Sequence, residues 1–243
     1  MIPAWLAFFD GLLAIALVAA GIIGAHFYMI DGFFGFQLFV FGFLLSIIGF
    51  IMGLIGIAIT RSAELRSARQ RANVGLAFSV AVAIPLLVLA FSVRNYPAIN
   101  DITTDFDNPP EFTHAQELAS NRGRDMRYDK ARCAERQQSG YGPLGPIVIA
   151  GDAAGTFEKV KAVAAQMPQW EITTTDPKSM TLEGVGTTSL FRFQDDFVIQ
   201  VRPGEAGRSL VEMRSRSRVG IGDFGSNYNR IVHFFDRLKA SAS

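Results

Sequence analysis

The stretch Asp196–Arg218, DFVIQVRPGEAGRSLVEMRSRSR, alternates apolar and polar residues on both sides of a turn. Phe197, Ile199 and Val201 fall on one face of the first arm, and Asp196, Val198, Gln200 and Arg202 on the other. A period of two is the signature of a strand, and PGEAG supplies turn residues that join two antiparallel strands. In the second arm, Ser209–Arg218, the residues Val211, Met213, Ser215 and Ser217 share one face. Glu212, Arg214, Arg216 and Arg218 share the opposite one.

The pattern extends outward from this hairpin. Upstream, Trp170–Thr175 and Met180–Val185 read as strands about a DPKS turn, and Phe191 and Phe193 alternate with polar neighbours. Before them Val160, Val163, Ala164 and Met167 recur at helical spacing over Ala153–Met167, with Asp152 or Thr156 as the cap. Downstream, Phe224, Tyr228, Ile231, Phe235 and Leu238 form the stripe of a closing helix. The expected fold of residues 146–243 is α+β, an antiparallel sheet of about four to five strands with two packing helices.

The N-terminal part has a different composition. Hydrophobic residues make up 49% of the 243-residue chain, and no Lys or Arg occurs before Arg61. A helix crosses the hydrocarbon core with about 20 mostly apolar residues. Ala4–Gly24, Phe34–Ile59 and Val74–Val93 meet that condition, so residues 1–93 read as three spans. The first has no basic n-region and is followed closely by a second span, which distinguishes it from a signal peptide. Gly49 and Gly53 form a GxxxG, a packing motif that serves either the chain's own helices or a dimer seam. Asp10 lies inside the first span without a basic partner in the spans.

The loop between the second and third spans carries Arg61, Arg66, Arg69 and Arg71, whereas HFYMIDG, between the first and second, has no Lys or Arg. The positive-inside rule then puts the arginine loop and the N-terminus in the cytoplasm and sends the C-terminal part across the membrane. In a Gram-negative bacterium that expectation is an inner-membrane protein with a periplasmic domain. Residues 94–145 read as an extended, proline-containing tether over Arg94–Phe112, then a polar helix over Asp125–Gln138.

From Arg94 onward the chain has nineteen Lys and Arg against nineteen Asp and Glu, which argues against a nucleic-acid partner. Cys133 is the single cysteine, and His26, His114 and His233 are scattered. No metal-ligand spacing, cofactor fingerprint or nucleophile motif occurs, so no metal, cofactor or catalytic residue is expected. Asp195 and Asp196 are adjacent in a strand and therefore face opposite ways, a poor arrangement for a carboxylate dyad.

Two readings of the arginine face stand side by side. Guanidiniums about 7 Å apart along a strand repel unless acids or an anion lie across them. Arg202, Arg214, Arg216 and Arg218, with Arg230 on the closing helix, are the candidate ligands for a carboxylate or phosphate. The simpler reading is an Asp–Arg lattice on a solvated sheet face, with Asp196 and Glu212 as the acids. In VGIGDFGSN, Gly220 and Gly222 allow a tight strand-to-helix turn, and Asp223 is placed to cap the helix that carries Asn227.

YPAINDITTD, FRFQDDFVIQVRP and RSRSRVGIGDFGSNYNRI together resemble the bacterial and plastid family known as domain of unknown function 1499. The likeness covers roughly Tyr96–Leu238. Its matching positions are Asp195, Asp196, Arg202, Arg214, Arg216, Arg218, Gly220, Asp223, Gly225, Asn227 and Arg230. The resemblance implies a fold and an exported setting, with no established reaction. The expectation is a non-enzymatic, membrane-anchored module that binds an envelope ligand such as a lipid or anionic amphiphile. The alternative is an assembly subunit that binds another membrane protein or a second copy of itself.

Overall fold

Three long helices begin the chain: α1 (Ile2–His26), α2 (Gly32–Ile59) and α3 (Arg66–Val93). The computed structural model describes residues 1–242. Each of the three helices is long and apolar enough to cross a membrane. Asp31 caps α2 by accepting the Phe33 and Phe34 amides at 2.8 and 3.2 Å.

Small residues fill the seams between these helices. A Cβ on Gly75 would stand 2.3 Å from the backbone of Ala7, so α1 and α3 approach to a distance that only glycine permits. Gly49 and Gly53 belong to the same packing, because a Cβ there would meet Ser79 Oγ at 2.5 Å and Leu76 Cβ at 2.9 Å. Large side chains such as Phe41, Val88 and Phe91 point outward, each more than half exposed. That inversion, small inside and large apolar outside, suits a hydrocarbon solvent.

The chain divides into two units, Met1–Arg94 with Ser189–Arg192, and Asn95–Thr188 with Phe193 onward. The second unit runs β1 (Asp101–Thr103), α4 (Lys130–Gly140), β2 (Ile147–Ala150), α5 (Ala153–Ala164), β3 (Trp170–Asp176), β4 (Thr181–Thr187), β5 (Gln194–Pro203), β6 (Arg208–Ser217) and α6 (Ser226–Ala242). Strands β3 to β6 form the expected antiparallel meander. Strands β1 and β2 both pair with β6, opposite its C-terminal and N-terminal halves, to complete a six-stranded sheet. The order is β1-β6-β5-β4-β3.

One sheet face carries the core. Phe197, Ile199, Val201, Val211 and Met213 pack beneath Phe157 and Val160 of α5 and Ile231, Phe234 and Leu238 of α6. The Trp170 ring lies 4.1 Å from Phe197 and 5.4 Å from Phe234, between centroids. Asp152, rather than Thr156, caps α5, accepting the Gly155 amide at 2.7 Å.

Besides starting α3 at Arg66, inside the arginine stretch expected to be a loop, the structure departs from sequence expectation in four places. Arg94–Phe112 is not a free tether, because Ile99 and Ile102 are fully buried and Asp101–Thr103 is strand β1. The following chain, residues 104–128, lies over the second sheet face, where Phe112, Ala115 and Met126 cluster with Val198. The polar helix begins at Lys130 because Asp129 caps it through the Arg132 amide. Phe191 lies in the β4–β5 turn rather than in a strand, and Arg192 there has a left-handed φ of 58°.

Candidate functional site

The second sheet face holds the arginines in a register that the strand pairing fixes. Asp101 of β1, Arg216 of β6 and Asp196 of β5 lie side by side in one row. The next row holds Thr103, Arg214, Val198 and Glu183. Acids therefore sit diagonally across from the arginines they bind, within reach of long side chains.

Arg214 is 1% exposed. Its Nε and Nη2 donate to the two Asp101 carboxylate oxygens at 2.8 and 2.7 Å, and Nη2 also donates to the Met126 carbonyl at 2.9 Å. Its guanidinium carbon lies 4.8 Å from the centre of the Phe112 ring and 5.4 Å from that of Tyr128. Such a bidentate, ring-flanked guanidinium is a strong charge-assisted contact. Arg202 lies 3.0 Å from Glu212, whose carboxyl is raised above its ordinary value by burial and drawn back by that arginine.

Arg218 donates to both Asp196 oxygens, at 2.7 to 3.1 Å, and to Gln194 Oε1. Arg216 sits 3.6 Å from Asp101 Oδ2, beyond hydrogen-bond range, and donates instead to the Asp125 carbonyl at 2.5 Å. Arg230 is on the other side of the sheet. It reaches Asp195 at 2.5 Å, Ser215 Oγ at 2.9 Å and Asn227 Oδ1 at 2.6 Å. The adjacent acids Asp195 and Asp196 thus each serve one face. Arg230 is separated from the other four arginines and does not share a site with them.

The face is covered, not solvated. Residues 104–128 close it, anchored by Glu183, which accepts from the Thr113 amide and hydroxyl and from the His114 and Ala115 amides at 2.6 to 2.9 Å. This covering segment brings in Arg124, which the sequence did not single out because no periodicity marks the segment. Arg124 donates to Asn121 and to the Ser217 carbonyl, and lies 3.6 Å from Asp196.

Charge around these residues is not matched. Four guanidiniums, from Arg124, Arg214, Arg216 and Arg218, share the carboxylates of Asp101 and Asp196. Asp125 and Arg127 beside them pair with each other. Arg214 is sealed, whereas the side chains of Arg124, Arg216 and Arg218 are 22%, 17% and 12% exposed. Burial, and then the charge of Arg216, hold the Arg124 guanidinium below its ordinary value, with Asp196 acting the other way. Among the described residues, the buried Nε of Arg216 has no hydrogen-bond partner.

The turn into α6 is a structural element. Asp223 accepts the Gly225 and Asn227 amides, both at 2.9 Å, and the Tyr141 hydroxyl at 3.1 Å. Burial raises its carboxyl above the ordinary range even against those donors. Gly220 takes a φ of 83°, and Gly222 packs against the backbone of Ala98. Asn227 is fully buried and bridges Ser215, Ser217 and the Asn100 carbonyl. Among the described residues, no cluster of His, Cys, Asp and Glu is arranged to hold a metal ion. A separate groove of about 460 Å³, lined by Phe106, Gln137, Tyr141, Pro143 and Leu144, has no charged side chain in its wall.

The sequence profile described as "Protein of unknown function (DUF1499)" matches residues 101–238, more than half of the chain. Its span starts at β1 and ends in α6, and so takes in the whole sheet and the cover over the arginine face. Among curated proteins, none matches the chain. Among solved structures, the di-domain ARO/CYC BexL from the BE-7585A biosynthetic pathway is similar over 40% of this chain and 43% of that one. The identity is 14% and the TM-score 0.29, so the likeness spans less than half of that structure and carries no weight for fold or function.

Proposed function

The chain belongs to the DUF1499 family, whose function is unknown, and we propose that it is a membrane-anchored binding module for an anionic envelope ligand. The ligand class is a phosphate- or carboxylate-bearing amphiphile, and the module is non-catalytic. The reading places the protein in a bacterial inner membrane with the α+β unit on the periplasmic side, supported by Arg61 in the link between α2 and α3 and by Arg66, Arg69 and Arg71 in the first turns of α3.

One observation carries it: four guanidiniums around two carboxylates, with Arg124, Arg216 and Arg218 partly open to solvent. A folded protein rarely leaves such an excess half-buried without a counter-charge. Guanidiniums match the planar, bidentate geometry of carboxylate and phosphate oxygens, which makes an anion the fitting counter-charge.

The test is calorimetric titration of the detergent-solubilised full chain with short-chain phosphatidic acid and, separately, short-chain phosphatidylcholine. The anionic lipid is expected to bind at least about tenfold more tightly, as loss of a charged hydrogen bond of about 1.5–3 kcal/mol implies. Arg216→Gln should remove that preference and Arg216→Lys should restore part of it. Equal affinity for the two lipids would dismiss the reading.

A further inference from the structure

We infer that the turn between β6 and α6 contacts the lipid–water interface of the bilayer through Val219, Ile221 and Phe224. This inference does not depend on the arginine cluster. These three apolar side chains are 41%, 74% and 57% exposed within a seven-residue stretch, VGIGDFG. Their exposure is built in rather than incidental. Phe224 has a left-handed φ of 51°, a conformation that favours glycine and that bulky residues rarely adopt. The aromatic stripe of α6 would bury a helical residue at this position; the left-handed backbone instead turns the ring outward, ahead of the helix start at Ser226.

The turn is also rigid. The Asn100 side chain donates to the Gly220 carbonyl at 2.5 Å, and Asp223 accepts the Gly225 and Asn227 amides. A Cβ at Gly225 would stand 2.9 Å from the Tyr96 ring, and one at Gly222 would stand 3.4 Å from Ala98 Cα. So the turn is seated on residues 96–100.

Those residues follow directly on the last membrane-spanning segment, and this chooses the occupant. Helix α3 ends at Val93, three residues before Tyr96. Covalent geometry limits that link to about 11 Å even when fully extended. The headgroup region on each side of the hydrocarbon core is about 5–8 Å deep. Residues 96–100, on which the turn is seated, therefore begin within about 11 Å of the end of α3, a reach comparable to the depth of the interface. Tyr96 itself is 38% exposed and follows Arg94, residue types that settle at that level. A rigid cluster of apolar side chains with an aromatic at its tip suits partial insertion there.

The test uses the full chain in vesicles of phosphatidylcholine and phosphatidylglycerol. An environment-sensitive nitrobenzoxadiazole dye is attached to an Ile221→Cys variant and, separately, to Lys178→Cys in the β3–β4 turn at the opposite end of the sheet. Both positions are exposed, so neither change disturbs packing, and Cys133 is fully buried and stays unlabelled. Lipids carrying a nitroxide near the top of the acyl chain are expected to quench the dye at 221 several-fold more than at 178. Equal quenching at the two positions would overturn the inference. So would a blue-shifted dye at 221 that the nitroxide lipids fail to quench, because protein rather than lipid would then cover the turn.

Discussion

Replacing Asp101 with alanine is expected to destabilise the α+β unit by about 3–5 kcal/mol, the cost of stranding a buried charge by removing its partner. Asp101 is 2% exposed and receives two hydrogen bonds from Arg214, itself 1% exposed, while Arg216 stands 3.6 Å away. Without the carboxylate, two guanidiniums share one buried region with no counter-charge, and Arg214 keeps only the Met126 and Pro110 carbonyls. The effect is readable by denaturation in detergent through Trp170, whose ring packs against Phe197 and stacks on Phe234. A double variant, Asp101→Leu with Arg214→Met, should recover a large part of the loss, since a buried pair replaced by apolar residues is often close to neutral. Additive losses in the double variant would show that the two residues do not act as a pair.

Replacing Glu183 with alanine has an expected effect of similar size and a different character. Its carboxylate, 1% exposed, accepts three backbone amides and a hydroxyl from Thr113, His114 and Ala115. Each buried donor left without an acceptor costs about 1–3 kcal/mol. The sheet itself has other support, so the segment 104–128 is expected to lift away and hydrate its amides before the core unfolds. Hydrogen exchange should accelerate by about a hundredfold or more at residues 113–115, at about 1.4 kcal/mol per factor of ten. The amides of β5 and β6 should keep their protection. If exchange rose evenly across the sheet, Glu183 would be a core residue and not the anchor of a cover.

What the sequence reveals and what it hides follow from the range of the interactions. Membrane helices depend on length and apolarity alone: α1 and α2 match the expected spans to within two residues at each end, whereas α3 ends as expected at Val93 but starts eight residues earlier, at Arg66. The β5–β6 hairpin is equally legible because its alternation is strict and its turn chemistry local. The opposed directions of Asp195 and Asp196 are also legible, and they assign one acid to each face of the sheet. The principal partner of Arg214 is not, since Asp101 precedes it by 113 residues in a three-residue strand too short to show a period. The cover is hidden for the same reason. Residues 104–128 have neither helical nor strand periodicity, and they take their position from partners far along the chain, Glu183 and Arg214 among them. Arg124 arrives with that segment, so the excess of positive charge emerges only when the chain is folded.

Native mass spectrometry of the detergent-solubilised full chain tests that excess most directly. The account predicts a retained anionic phospholipid in the wild-type protein, at one per chain beyond those held by an Arg124→Gln, Arg216→Gln double variant. Identical lipid adducts in the two proteins would contradict it, and would leave the arginines as a purely internal lattice.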